Sequence, residues 1–512
     1  MSFSPTTTLS VTATALAAIA LLVLNSRHGR KQLPPGPTPY PFIGNFPQMS
    51  IGWAGQPYAE MVKTWGPIIY FRVPGREFIF LNRLEDAVNL FEKRGNLYSN
   101  RPHMHMAHEL VGRKITVLFS QYGERLKNYR RMINTVTNSR AAPQQWDTQT
   151  RETHKLLGRL LVSPDDFLHH LSRHAVSVTM RMVYGHIVPD GEETYIDLAE
   201  KMAKLTNIAS QPGRWLVDSF RWMEHLPDWI PGAQFKRTAK QLHYELEEFT
   251  NRPMRMTKEN MRNGRAEACF AVSQLEDKDA SADELHEEYV KYAAAGMYSG
   301  GTDSAISFLS RVALYMTVFP EAQQKAQTEL DRVIGAERLP AVEDMARLPY
   351  VDAVIKEIHR FSPIINLVPH SSPVDDEYKG YIIPAGSAVI ANSWAFAHDE
   401  SMYPESHKFD PDRYLGTRGE GVVDPRQFVF GLGRRRCPGV AVAESFTFLA
   451  VASLLSVFNF KKAVDAEGRE ITPAFDFDDA LVSQPGPFKC EIVPRSEAAA
   501  ALIQRAVQAA EV

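Results

Sequence analysis

The chain has 512 residues, of which 44% are hydrophobic and 23% charged, and its formal net charge is −3. This balance is typical of a folded globular protein and excludes a mainly disordered chain, a collagen and a multi-span membrane protein. The near-neutral charge gives no electrostatic reason to expect nucleic-acid binding. The cysteines Cys269, Cys437 and Cys490 are too few and too scattered for a disulfide framework or a zinc cluster.

An uninterrupted apolar run extends from Leu9 to Leu24, and no Lys or Arg precedes it. As a helix this run spans about 24 Å, close to the ~30 Å hydrocarbon core of a bilayer. Basic residues begin at Arg27, so the positive-inside rule places the rest of the chain in the cytosol. A cleaved signal peptide is the alternative, but a basic start and a small-residue cleavage site are missing. We predict a short lumenal N-terminus over 1–8, a single transmembrane anchor over 9–26 and a basic, Pro-rich linker over 27–45.

The remaining residues, 46–512, have the pattern of one mainly helical body with small β-sheets, an α+β fold. Strand signals occur on both sides of a Pro74–Gly75 turn and again near the C-terminus, and helical periodicity dominates between them. No strand–GxGxxG–helix unit is present, so a dinucleotide-binding domain is not expected. The predicted strand regions are Ile68–Val73, Phe78–Leu81, Tyr378–Ile390 and Phe460–Val493. The predicted helices include Asp283–Val318, Ala322–Ile334 and Gly439–Phe458.

One cysteine lies in an unusual loop, FGLGRRRCPG, that extends from Phe430 to Gly439 and precedes a helix. Three arginines and the helix N-terminus both favour the thiolate form of Cys437. Gly433 and Gly439 permit a tight loop and a close approach to a flat ligand. An isolated Cys-Pro-Gly is more often part of a buried structural cysteine site.

The complete pattern F-x-x-G-x-R-x-C-x-G resembles the cytochrome P450 family. The resemblance implies the cytochrome P450 fold and a bound haem b, iron protoporphyrin IX. It implies that Cys437 is the axial ligand of the haem iron, and that Arg435 pairs with a haem propionate, as a guanidinium fork suits a carboxylate. Phe430 would pack on the sulfur side, and Gly433 and Gly439 would shape the cofactor-binding loop.

Two further motifs occur in the order that the family requires. Glu357 and Arg360 fit E-x-x-R, and at i, i+3 on a helix they lie on one face. Pro411–Tyr414 resembles P-x-R-F, with Tyr for Phe. The resemblance implies that Arg413 joins the Glu357–Arg360 pair and supports the cysteine loop. Alone, E-x-x-R would be an ordinary helical ion pair.

The segment Gly300–Ser304, GGTDS, lies inside the long predicted helix. Two mid-helix glycines cost about 1 kcal/mol each relative to alanine, so a compensating role such as close helix packing is expected. The resemblance is to A/G-G-x-D/E-T, which implies that Asp303 and Ser304 relay protons to bound oxygen as the catalytic pair. Ser304 keeps the hydroxyl of the usual Thr but loses the methyl that fixes its rotamer.

The segment Tyr122–Arg131 resembles the W-x-x-x-R helix of the family, with Leu126 in place of Trp. The resemblance implies that Arg130 contacts a propionate. A basic surface helix is the alternative, and for Arg131 it is the better interpretation.

The helix face that carries Ser304 gives one set of substrate-facing positions. The resemblance adds the loop Met104–Val117, the stretch Ile364–Val368 and the turn near Leu481. Most of these positions are apolar, which favours a lipophilic substrate, although several could be plain core. The predicted pocket residues are Ala293, Met297, Gly300, Ile364, Ile365, Val368 and Leu481.

The resemblance implies a microsomal haem-thiolate monooxygenase that inserts one atom of O₂ into a lipophilic molecule. Because no flavin or nicotinamide motif is found, a separate NADPH–cytochrome P450 reductase would supply electrons. Arg434 and Arg436 would form part of its docking face. The protein would reside in the endoplasmic reticulum membrane and bind no nucleic acid. The alternatives are an O₂-independent isomerase or dehydratase and a non-catalytic, membrane-tethered haem or sterol binder. Retention of Asp303–Ser304 argues against both.

Three phrases, FEKRGNLYSNRP, LPYVDAVIKEIHRFSP and DPRQFVFGLGRRRCPG, resemble fungal P450s of secondary metabolism. They are most similar to the O-methylsterigmatocystin oxidoreductase-like group, whose members oxidise polyketides, terpenoids and indoles. The absence of charge from the predicted pocket favours a terpenoid.

Overall fold

The computed structural model describes residues 32–50, 52–277 and 285–511. The predicted N-terminus and transmembrane anchor therefore lie outside the described residues. Within the described part of the chain, only the helix Val440–Val457 is long and apolar enough to span a membrane. It is 67% buried inside the fold, as expected for a core helix.

Helices form most of the body, joined by short 3-10 and π turns. In chain order the α-helices are α1 (Gln56–Glu60), α2 (Val62–Trp65), α3 (Leu84–Val88), α4 (Glu124–Thr137), α5 (Trp146–Val162), α6 (Phe167–Tyr184), α7 (Thr194–Ser210), α8 (Gln234–Arg262), α9 (Phe270–Leu275), α10 (His286–Val318), α11 (Pro320–Val333), α12 (Pro349–Phe361), α13 (Ser393–Ala397), α14 (Arg426–Val429), α15 (Val440–Val457) and α16 (Glu497–Glu511).

The strands form three small sheets. They are β1 (Ile68–Val73), β2 (Arg76–Leu81), β3 (Leu367–His370), β4 (Asp376–Tyr378), β5 (Tyr381–Ile383), β6 (Ala388–Asn392), β7 (Phe458–Val464), β8 (Glu470–Ile471) and β9 (Cys490–Pro494). The first sheet has the order β1-β2-β6-β3, with β2 and β6 parallel and the other pairs antiparallel. β4 pairs with β5, and β7 lies between β8 and β9. The mainly helical α+β prediction is correct.

Most predicted element boundaries differ from the observed ones by a few residues. β1 matches its prediction, and β2 begins at Arg76 because the register pairs Arg76 with Val73 across the turn. α11 begins at Pro320, which suits a first helical position because proline lacks the amide hydrogen that would be unpaired there. The C-terminal helix α16 was not predicted; it buries Leu502 and Ile503 within the body.

Helix α10 runs through the centre of the body and links two apolar clusters. Its N-terminal half, up to Tyr298, belongs to a cluster that includes Met104 and Phe119. Its C-terminal half, from Phe308, belongs to a second cluster formed with α12 and α15. The predicted oxygen-activation segment, Gly300–Ser304, therefore lies between the two clusters.

The Pro-rich segment before the body was predicted to be a spacer. It is extended, as expected for a proline-rich chain, but it lies against β1. The amide of Tyr70 donates a 2.8 Å hydrogen bond to the carbonyl of Pro35. A Cβ on Gly36 would lie 1.9 Å from the Tyr70 carbonyl oxygen, so the approach requires glycine. The part of this segment around Pro35 and Gly36 is thus packed on the body.

Candidate active site

The loop that carries Cys437 is fixed by backbone contacts. The Cys437 amide donates to the carbonyl of Phe430 at 2.8 Å, closing the loop before α15. Gly433 adopts a positive φ of 60° and presses against Phe91; a Cβ there would lie 1.9 Å from the Phe91 carbonyl oxygen. The Cβ position of Gly439 lies 3.8 Å from the Cys437 sulfur. Any larger residue at position 433 would collide with the Phe91 backbone and displace the cysteine loop.

Cys437 is an exposed residue in this loop, although its surroundings are enclosed. We expected neighbouring arginines and the helix end to lower its pKa. Burial raises the pKa of the thiol above its usual value. The neighbouring groups act in the expected direction, since the amide of Gly439, Arg130 and Arg436 lower that pKa, but burial outweighs them. A metal cation bound to the sulfur would favour the thiolate.

Three arginines meet beside the cysteine loop without a carboxylate partner among the described residues. Arg435 donates through Nε to the carbonyl of Ser99 at 2.7 Å and through Nη2 to that of Ser120. Burial, with Arg101 and Arg130 nearby, lowers the Arg435 pKa to about 8. Burial alone lowers that of Arg101 to about 10. This concentration of positive charge favours binding of an anion.

His370, at the end of β3, extends the same cluster. Its ring stacks on Phe91 with 4.0 Å between centroids, and Nδ1 lies 2.6 Å from the carbonyl oxygen of Tyr98. Its Nε2 is buried without a hydrogen-bond partner. Burial, followed by the charge of Arg101, holds the pKa of His370 well below its ordinary value. The ring is therefore neutral, and its one N–H donates to the Tyr98 carbonyl, which leaves Nε2 as an acceptor.

These groups fit a haem. Its two propionates are carboxylates, and guanidinium groups bind carboxylates through charge-assisted hydrogen bonds. Arg101, Arg130 and Arg435 would hold the propionates, and Cys437 would ligate the iron. Arg130 also donates to the carbonyl of Arg436 at 2.9 Å, which ties α4 to the loop. Sequence reasoning did not identify Arg101, because a lone arginine does not mark an anion site without the fold.

The predicted supporting residues form one buried network behind the loop. Arg360 makes two 2.8 Å hydrogen bonds to the Glu357 carboxylate, and both side chains are fully buried. Arg413 Nε lies 3.2 Å from Glu357 Oε1, and the amide of Asp410 donates to the same oxygen at 2.8 Å. The hydroxyl of Tyr414, which replaces the usual Phe, donates to Glu357 Oε2 at 3.2 Å. Both oxygens of this buried carboxylate therefore accept hydrogen bonds from groups of the protein itself.

Asp303 on α10 has an amide partner instead of a cation. Gln484 Nε2 lies 3.2 Å from both the carbonyl oxygen and Oδ1 of Asp303. Burial raises the Asp303 pKa to about 7, and Asp478 adds to the rise, while the Gln484 hydrogen bond opposes it. The carboxyl group can therefore both release and accept a proton near neutral pH.

Ser304 lies one residue further along the helix. Its Oγ donates to the carbonyl of Gly300 at 2.7 Å. No atom lies within 4 Å of a Cβ built on Gly300, whereas Gly301 packs against Thr179 of α6 at 3.4 Å. The two glycines have different roles: Gly301 permits helix packing and Gly300 leaves space beside the Ser304 hydroxyl.

A buried arginine fixes the turn that carries Gln484. Arg311 on α10 donates through Nη1 to the carbonyl of Ser483 at 2.9 Å and through Nε to Ser362 Oγ at 2.8 Å. Ser307 Oγ also donates to the Ser483 carbonyl, at 2.6 Å. This 476–486 turn, which includes Leu481, is thereby attached to α10 and to the segment after α12. Sequence reasoning missed both Arg311 and Gln484, because their partners are distant in the chain.

The predicted pocket residues occupy three kinds of position. Ala293 and Met297 are buried, 0% and 7% exposed, in the cluster that contains Phe119. Gly300 is exposed, and the remaining four are partly buried: Ile364, Ile365, Val368 and Leu481. In the cysteine loop, Arg434 and Arg436 are exposed.

A cysteine-bearing loop, a carboxylate-binding cation cluster and a central helix with an acid–hydroxyl pair define a candidate haem-thiolate site. The chain belongs to the cytochrome P450 family, whose profile matches residues 34–492. It is a monooxygenase of that family, which implies a haem and an electron donor.

The similar proteins are fungal cytochrome P450 monooxygenases. One, claR of Ampulloclitocybe clavipes, is 39% identical over 97% of this chain and 93% of its own length. Monooxygenase 208 of Postia placenta is 36% identical over 96% of both chains. A third, ppsD of Aspergillus oryzae, is 34% identical over 94% of this chain and 92% of its own.

Proposed function

We propose that this protein is a haem-thiolate monooxygenase that inserts one atom of O₂ into a lipophilic fungal secondary metabolite. The observation that carries the proposal is the position of Cys437 beside an anion-binding cluster that lacks carboxylate partners. Haem b, when bound, supplies the activation of dioxygen and the electron transfer. The polypeptide positions the haem, orients the substrate and delivers protons.

Asp303 and Ser304 are the proposed proton carriers. Gln484 occupies Oδ1 of Asp303, so Oδ2 is the atom on which a proton is held. The Ser304 hydroxyl hydrogen is directed at the Gly300 carbonyl, which leaves Oγ able to accept a hydrogen bond. Rotation of the hydroxyl away from Gly300 would let it donate, and a Ser rotates more readily than a Thr.

A terpenoid is the proposed substrate, and a polyketide or an indole is less favoured. The partly buried residues Ile364, Ile365, Val368 and Leu481 supply apolar surface near the 476–486 turn. Apolar walls bind through the area that they remove from water, which suits a hydrocarbon skeleton.

The proposed electron donor is an NADPH-dependent flavoprotein reductase. Arg434 and Arg436 are exposed beside the ligand loop and suit an acidic partner. Substitution of Arg434 by Gln should lower the apparent affinity for the reductase and decrease the salt dependence of that affinity, because one charged contact is removed. Chemical reduction by dithionite should be unchanged, and the exposed Lys63→Gln variant on α2 is the control.

Anchoring in the endoplasmic reticulum membrane by residues 9–26 is part of the proposal. Large apolar side chains are exposed on the surface: Phe42 is 98% exposed, Trp229 81% and Trp222 62%. Such a surface suits the lipid interface next to a membrane anchor.

The decisive experiment uses the holoenzyme reconstituted with reductase. We expect a thiolate-type carbon monoxide difference spectrum, NADPH and O₂ consumption, and incorporation of one ¹⁸O atom from ¹⁸O₂ into product. Product formed without O₂ would indicate an isomerase or dehydratase. Haem binding without turnover of any lipophilic candidate would indicate a binding protein. A Cys437→Ser variant that keeps the thiolate-type spectrum would refute the axial assignment.

A further inference from the structure

A buried arginine in the loop between α3 and α4 has no polar side-chain partner. Arg113 is 3% exposed, and its Nε and Nη1 are buried without hydrogen bonds. Among the described residues, no carboxylate forms an ion pair with it. Its one described side-chain contact is the ring of Phe119, whose centroid lies 4.5 Å from the guanidinium carbon.

A buried guanidinium without a polar partner is energetically unfavourable unless another group accepts its hydrogen bonds. A buried charge requires a partner that supplies opposite charge or hydrogen-bond acceptors, and an aromatic face replaces only part of the lost hydration. Burial lowers the pKa of Arg113 to about 9, so the group is still a cation at neutral pH. The guanidinium thus presents donors with no acceptor in the described structure.

The position of Arg113 relates it to the substrate region. Phe119 belongs to the same apolar cluster as Ala293 and Met297, two predicted pocket residues on α10. Four residues after Arg113, Val117 packs against the same helix: a Cβ on Gly296 would lie 2.6 Å from Val117 Cγ2. The loop is therefore held directly on the helix that carries the acid–hydroxyl pair.

The contact at Gly296 lies on the helix that also carries Ser304, eight residues further along α10. His108 also lies nearby, since its ring meets that of Phe119 edge-on with 5.5 Å between centroids.

We infer that Arg113 binds a carboxylate of the substrate. This inference rests on the proposed function and refines it: the substrate is a lipophilic acid rather than a neutral hydrocarbon. Guanidinium–carboxylate pairs are directional, so Arg113 would also fix which carbon lies beside Ser304. The apolar pocket list obtained from the sequence omitted this residue, because a lone arginine in a loop usually faces solvent.

The test uses the holoenzyme and matched probes that differ only in charge. Dodecanoate, dehydroabietate and 1-naphthylacetate are each compared with their methyl esters by Soret-shift titration and by thermal shift. In the wild type, at least one acid should bind about tenfold or more tightly than its ester. Arg113→Gln should remove that preference and leave ester affinity within about threefold. Arg113→Lys, which keeps the charge, should retain part of the preference.

Each other outcome overturns the inference. Three results would show that the guanidinium does not bind substrate. The first is equal affinity of the wild type for acids and esters, and the second is no binding of any acid. The third is the same preference for acids in the wild type and in Arg113→Gln. If Arg113→Gln fails to load haem, the acid-to-ester ratio of Arg113→Lys decides. Failure of the proposed function is separate, because it would appear as a wild-type protein without a thiolate-type carbon monoxide spectrum.

Discussion

The side-chain amide of Gln484 lies 3.2 Å from Oδ1 of Asp303, so a turn near the C-terminus contacts the acid of the central helix. Arg311 holds the neighbouring Ser483 carbonyl at 2.9 Å, which fixes the turn on the same helix. Leu481, a predicted pocket residue, belongs to this turn. Displacement of the turn by substrate would therefore change the hydrogen bonding of the proposed proton carrier.

Gln484→Leu should move the pH dependence of turnover to higher pH. The amide donates to the carboxylate and favours its charged form, so its loss raises the Asp303 pKa above the present value of about 7. The measurement is kcat against pH with the reconstituted reductase, together with the ratio of product to NADPH. Gln484→Glu replaces the donor with a second carboxyl group and should shift the profile in the same direction. An unchanged profile in both variants would show that Gln484 does not position Asp303.

Asp303→Asn should alter how stability depends on pH. The Asp303 pKa rises from 3.8 to about 7 on folding. Between these values the folded state binds a proton that the unfolded state does not, so the wild type loses stability as pH rises through this window. Asparagine removes this loss. The difference in Tm, variant minus wild type, should therefore be more positive at pH 8 than at pH 5.

The control for this pH effect is Asp165→Asn, which removes an exposed carboxylate from a short turn. Its difference in Tm should stay nearly constant over the same range. A difference for Asp303→Asn that is equally constant would mean that the carboxyl group titrates alike in the folded and unfolded states. Product formation by Asp303→Asn should also fall by about 10²-fold or more, the usual contribution of a proton carrier.

The sequence predicts the cysteine loop and the Glu357–Arg360 pair because both are local patterns, whereas the role of Arg413 follows from the resemblance to the family. The spacing of Glu357 and Arg360 places them on one helix face, and the structure adds the hydroxyl of Tyr414. Residues whose role depends on distant partners could not be predicted. Arg311 meets Ser483 only because the turn folds back on α10, and nothing near either residue in the chain indicates the contact.

Glu357→Gln should destabilise the folded protein by about 3–5 kcal/mol, because two buried arginines lose their counter-charge. Arg360 and Arg413 are 0% and 4% exposed as side chains, so water cannot replace the carboxylate. Haem content should fall together with stability. Urea unfolding followed by circular dichroism and haem absorbance measures both quantities.

A matched surface pair tests whether burial causes that loss. Lys325 lies 2.6 Å from Asp412, and its side chain is 56% exposed. Lys325→Ala should change the free energy of unfolding by about 1 kcal/mol or less. Similar losses in the two variants would mean that the Glu357 network contributes no more than an ordinary surface ion pair.

Gly433→Ala should prevent normal haem loading, because a Cβ at this position would lie 1.9 Å from the carbonyl oxygen of Phe91. Gly468 is the matched control: its φ of 80° is also positive, but no atom lies within 4 Å of its Cβ position. An alanine in the left-handed region destabilises both variants by about 1 kcal/mol. Only Gly433→Ala adds the collision with the Phe91 carbonyl oxygen. We expect haem content in Gly468→Ala to match the wild type, and that in Gly433→Ala to fall several-fold. Equal haem content in the two variants would show that contact with Phe91 does not hold the cysteine loop in position.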